Sequence, residues 1–145
     1  MRRHQVLIPI SREHHEMLVL AQLLKKNAPP YRGLPTTFSG KLSYAAEEYE
    51  RFIEKHLKKD AQTLYPYLRQ FDDFETILKE LKMTNEELSL AFQHANEQSE
   101  EGADLLGRKL EKYVRTKERK LFEAMQKHLS EDDFAALSDK LNNNG

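Results

Sequence analysis

Apolar residues recur along the chain at helical spacing, in four blocks separated by helix breakers. In the first block Ile10, Met17, Leu18, Ala21, Leu24 and Ala28 fall on one stripe when successive residues are turned by about 100°. Ser11, just before Arg12 and Glu13, predicts the N-cap of this helix. Asn27, Pro29, Pro30, Gly33 and Pro35 end it and predict a loop to about Gly40. The second block runs from Lys41 to about Gln70 and aligns Leu42, Ala45, Tyr49, Phe52, Ile53, Thr63 and Tyr67. Pro66, near its end, predicts a kink or a loosened last turn. The third starts at "FDDFETI", with Asp72 as cap and Glu75 three residues later, and extends to about Gln98. It aligns Phe74, Ile77, Leu81, Leu88 and Phe92. Thr84 and Glu87 repeat the capping pattern, which allows a break near Met83. The fourth, Ala103 to His128, aligns Leu106, Leu110, Tyr113, Leu121 and Ala124. "LSEDDFAALSDKL" predicts a short fifth helix and "NNNG" a frayed tail.

Four long amphipathic helices with mostly short connections predict an all-α fold: an up-and-down, antiparallel four-helix bundle with a short C-terminal fifth helix. The length, 145 residues, suits a single domain spanning 1–145.

Several polar residues interrupt the apolar faces. His14 falls inside the first stripe, and His15 lies about 100° further round, on its edge. His56 and Asp60 sit one turn apart in the middle of the second stripe, and Lys117 lies within the fourth. Burying such groups costs free energy unless they find partners, and metal coordination is one way to supply them. His94 and His128 fall off the apolar faces and are expected in solvent. His4 precedes the first helix and is placed to fold over the open end of the bundle.

Composition narrows the functional classes. Apolar residues make up 39% and charged residues 32% of the chain, enough for one core under a heavily charged exterior. Lys plus Arg number 23 and Asp plus Glu 24, a formal net charge of −1, which points to neither nucleic acid nor a membrane as partner. There is no cysteine, so disulfides, thiolate chemistry and iron–sulfur ligation are excluded. The apolar run in "MRRHQVLIPISREHH" is too short for a signal peptide or a membrane span, so a cytoplasmic location is expected.

Three segments carry a family resemblance: "PISREHHEMLVLAQLL", "FIEKHLKKDAQTLYPYL" and "LGRKLEKYVRTKERKLFEAM". In this order and spacing they resemble the hemerythrin-like proteins, also called HHE cation-binding domains. The resemblance covers three of the four helices, and the third helix is similar only in pattern. It implies a bundle whose core holds two irons bridged by carboxylates. It places a first-helix ligand at His14 or its neighbour His15, and a second-helix pair at His56 and Asp60, with Asp60 where glutamate is usual. At three further ligand positions the chain departs from the family: Leu81 and Tyr113 stand in place of histidines, and Lys117 in place of a glutamate. Leucine cannot bind a metal, and a lysine ammonium repels one.

The expectation is therefore a hemerythrin-like protein without a di-iron centre, a non-catalytic scaffold or binding protein and not an enzyme. No cofactor is expected beyond, at most, one iron or zinc ion held by His14, His56 and Asp60 with water completing the shell. The other reading is a metal-binding hemerythrin-like protein, with one metal or an altered pair, acting in oxygen or redox sensing or iron handling. Nothing in the chain supports a metal-independent enzyme: it has no nucleophile–base spacing, no phosphate loop and no paired inward carboxylates. A homo-oligomer is compatible with the sequence, which names no protein partner. Without metals the inward groups still need partners. The Lys117 ammonium is expected in the former metal region, paired with Asp60, with the Tyr113 hydroxyl bonded to Asp60 or a histidine. The opposing expectation is that the lysine stem packs inward while its head reaches water.

Overall fold

Short polar residues before the apolar blocks start most of the helices, though not always the expected residue. In the computed structural model, which describes residues 2–143, α1 (Ile8–Leu24) begins a turn before Ser11. A 3₁₀ turn, Gln5–Leu7, leads into it, and the Val6 N–H donates to His4 Nδ1. Pro9 sits in the first turn, where no intrahelical N–H is lost. Ser11 does not cap: its hydroxyl donates to Glu118 on another helix. The second helix, α2, covers residues 38–68 and starts where Thr37 Oγ1 accepts from the Gly40 N–H at 3.1 Å. A 3₁₀ turn, Asp72–Phe74, precedes α3 (Glu75–Gln93); Asp72 makes no capping bond. Ser99 caps α4, residues 100–128, by accepting from the Gly102 N–H. Ser130 and Asp133 exchange backbone and side-chain bonds in a capping box that opens α5 (Glu131–Asn143). Of the expected frayed tail, Asn142 and Asn143 are helical and the last two residues lie outside those described.

Side-chain pairs fix the polarity of the bundle. Between α1 and α4 the order is Lys26–Glu101, Lys25–Glu111, His14–Glu118. Between α1 and α2 it is Glu16–Arg51, then Glu13–His56. Tyr49 stacks on Phe92 while Asn85 reaches Leu57, and Glu87–Lys109 is followed by Glu80–Lys112. In each of these four pairs one number rises as the other falls, so the helices of each pair are antiparallel. No strand occurs among the described residues. No helix among them is long and apolar enough to cross a membrane.

The helices depart from the expected periodicity at three π turns: Tyr49–Ile53, Asp60–Leu64 and Lys117–Leu121. Each widens the turn by one residue and advances the buried stripe. Thus Phe122 and Met125 are buried while Ala124 is only half-buried, which corrects the fourth stripe. Ala28 falls in the loop after α1, which ends at Leu24 because Lys25 turns extended (ψ 146°). No break occurs at Met83: Thr84 donates back to the Glu80 carbonyl inside a continuous α3. Pro66 lies in the first α turn after the π turn Asp60–Leu64, and the helix continues to Leu68.

One end is closed by α5, which buries Phe134, Leu137 and Leu141. His4 stacks on Phe134 at 3.8 Å and bonds to Glu131, so it does fold over that end. Elsewhere α1 and α4 approach so closely at Gly107 that a Cβ there would lie 2.6 Å from the Ala21 carbonyl oxygen. A methyl group must push the two backbones apart. Gly107→Ala should therefore lower stability by about 1–3 kcal/mol in urea unfolding, even though alanine favours a helix interior by up to about 1 kcal/mol. An unchanged or higher urea midpoint would contradict this contact.

Candidate functional site

Two of the π turns start at charged residues that meet in the centre of the bundle. Asp60 opens the turn on α2 and Lys117 the turn on α4. Lys117 is 0% exposed, and its Nζ donates to Asp60 Oδ2 at 2.6 Å and to His56 Nε2 at 3.0 Å. The snorkelling expectation is thereby corrected: the ammonium is enclosed, with the Tyr113 and Phe122 ring centres 5.5 and 5.9 Å from Nζ.

The donors and acceptors around this pair fall in a single consistent order. Tyr113 donates its hydroxyl proton to Asp60 Oδ2 at 2.7 Å. Having spent that proton, the Tyr113 oxygen can only accept, so Tyr65 donates to it at 2.5 Å and Asn85 Nδ2 at 3.0 Å. Asn85 also donates to the Leu57 carbonyl, where α2 approaches its second π turn. Because Lys117 donates to His56 Nε2, the His56 proton sits on Nδ1 and is donated to Glu13 Oε1 at 2.7 Å. An unbroken chain of hydrogen bonds thus runs from half-exposed Glu13 through His56, Lys117, Asp60 and Tyr113 to Tyr65.

His14 lies beside this chain, its ring centre 5.1 Å from that of His56. Its Nδ1–H donates to Glu118 Oε2 at 2.5 Å, and Glu118 is held in turn by Ser11 and Arg3. The other ring nitrogen, Nε2, is buried without a hydrogen-bond partner. His15, by contrast, is exposed, so His14 is the histidine of the two that faces the core. Leu81 is buried and contributes only apolar surface.

Electrostatics follow the geometry. Burial pushes the Asp60 carboxyl up, but the Lys117 ammonium, His56 and the two hydrogen bonds more than compensate and hold it below its ordinary range. Burial lowers the Lys117 pKa and Asp60 only partly restores it. Burial, reinforced by Lys117 and His56, holds His14 well below 6.5, so it stays neutral in the fold. The Tyr65 and Tyr113 hydroxyls are pushed well above 10 by burial and the Asp60 charge, so both keep their protons.

The residues present do not fit a di-iron centre. Leu81 and Lys117 supply no ligand atom, and Tyr113 keeps its proton, committed to Asp60. Lys117 Nζ itself takes up Asp60 Oδ2 and His56 Nε2, the atoms a metal would use. Among the described residues no group of three or more His, Cys, Asp or Glu side chains is placed to hold a metal ion. His14, His56 and Asp60 are brought to one region, but the ammonium stands among them. His94 is exposed and paired with nearby Glu97; His128 lies at the surface near Asp73, against the edge of Phe74.

Sequence reasoning missed Glu13, Glu118, Tyr65 and Asn85. Asn85 had a signal, since it lies four residues after Leu81 and three before Leu88 on the same stripe. Tyr65 had none, because the π turn before it resets its facing. Comparison of the chain with family models, curated proteins and solved structures found no match.

Lys117 and Asp60 should prove strongly coupled. Lys117→Met or Asp60→Asn alone leaves a buried partner unpaired and should cost roughly 3–5 kcal/mol in urea unfolding. The double variant should be more stable than the sum of the two losses by about 2 kcal/mol; additive losses would show that the pair is not coupled.

His14 gives a pH signature. Below pH 6.5 the unfolded chain takes up a proton there that the folded chain resists, so stability falls as pH drops. The loss is at most about 1.4 kcal/mol per pH unit until the folded group titrates. The Asp60 contribution, from a lowered pKa, is present above its unfolded value of 3.8 and is lost only in stronger acid. Between pH 6.5 and about 5, His14→Phe should therefore flatten the stability profile by roughly 1 kcal/mol per unit. An unchanged slope would mean that His14 is not held neutral.

Proposed function

We propose that this chain is a hemerythrin-like bundle in which a lysine ammonium has replaced the di-iron centre, leaving a non-catalytic scaffold or binding protein. The observation that carries the reading is Lys117 Nζ bonded to both Asp60 and His56 in the core. The outer partners support it. Metal-binding histidines usually donate their second N–H to a carboxylate or carbonyl, and here Glu13 and Glu118 receive those of His56 and His14. An internal cation satisfies the same inward carboxylate and imidazole that metal would, without redox chemistry. The second reading, a single residual metal, draws on one feature: the unpartnered, buried Nε2 of His14.

Metal analysis of protein purified from iron-supplemented cells separates these readings. The expected result is far less than one iron per chain and no visible charge-transfer band. Two irons per chain surviving extensive dialysis would overturn the proposal. One iron or zinc per chain, lost in His14→Ala, would instead establish the single-metal reading.

A further inference from the structure

A cleft of about 440 Å³ opens where α2 turns into α3, within the size range of small-molecule sites. Its floor is apolar: Tyr65 and Leu78 are buried and Phe71 is half-buried. The rim is charged, with Arg69, Lys79 and Lys82 facing Asp72 and Glu75. Lys79 is engaged by Glu75 at 3.7 Å. Arg69 and Lys82 make no side-chain hydrogen bond or ion pair among the described residues.

From this arrangement we propose that the cleft binds a small organic monocarboxylate with an apolar body, its carboxylate on Arg69 and its body on Tyr65, Leu78 and Phe71. A guanidinium presents two parallel N–H donors that match a carboxylate, and an unpaired one beside apolar surface supplies both halves of such recognition. Three cations against two carboxylates leave one net positive charge on the rim, which suits a monoanion. Asp72 works against a phosphate dianion. The inference does not rest on the metal reading: the cleft shares only Tyr65 with the polar core, and no charged group of its rim belongs to the buried ion pair.

Titration of the intact protein with 3-phenylpropionate, followed by amide ¹H–¹⁵N shifts, tests this. Saturable shifts should cluster in residues 65–82, with a Kd near or below about 1 mM, typical for a ligand of this size. The neutral analogue 3-phenylpropionamide and the variant Arg69→Gln should each weaken binding about tenfold or more. Arg32→Gln, an exposed control in the loop between α1 and α2, at the opposite end of α2 from the cleft, should leave it unchanged. Three outcomes would overturn the proposal: no saturation by about 10 mM, equal binding of acid and amide, or shifts centred on the cleft beside Glu13.

Discussion

An ammonium group sealed inside four helices can persist only with a negative charge beside it. Asp60 supplies that charge to Lys117, and the surrounding polar core follows from the pair. The Asp60 carboxylate needs more donors than one lysine, and Tyr113 provides one. The Tyr113 oxygen then accepts from Tyr65 and Asn85. On the other side His56 Nε2 accepts a second hydrogen bond from the ammonium, and its Nδ1–H donates to Glu13, which reaches the surface. Such a pair adds little net stability, since desolvating both ions offsets most of their attraction. What it demands is register: only one rotation of α2 and α4 brings Asp60 and Lys117 together.

The π turns are the backbone counterpart of that demand. Two of the three begin at the paired residues themselves. By adding a residue to one turn, each lets the helix present Asp60 or Lys117 inward and still bury the apolar residues that follow. In α4 those are Leu121, Phe122 and Met125. The distortion sits where two charged side chains must meet, in keeping with the tendency of π turns to mark functional positions.

The inward histidines are oriented from the edge of the core. Both inward histidines direct Nδ1 to a carboxylate, Glu13 or Glu118, so both turn Nε2 toward the interior. For His56 that nitrogen meets Lys117; for His14 it meets no polar group. A neutral imidazole tolerates this at a modest cost, while a protonated one beside the ammonium would not, which is why burial and Lys117 together hold His14 uncharged.

The sequence by itself determined the helices, the order in which they fold back on one another, and the inward facing of His14, His56, Asp60, Tyr113 and Lys117. All of these follow from local propensity, breakers and a repeat of about 3.6 residues. From the same facing it limited Lys117 to two fates, an internal partner or a path to water. The tertiary structure decided between them. It also decided that Glu13 and Glu118 orient the histidines, that His15 stays outside, and that Tyr65 and Asn85 complete the network. The physical reason is that periodicity describes one helix at a time. Which side chains meet across helices depends on their relative rotation and height, and on π turns that shift the facing of everything after them.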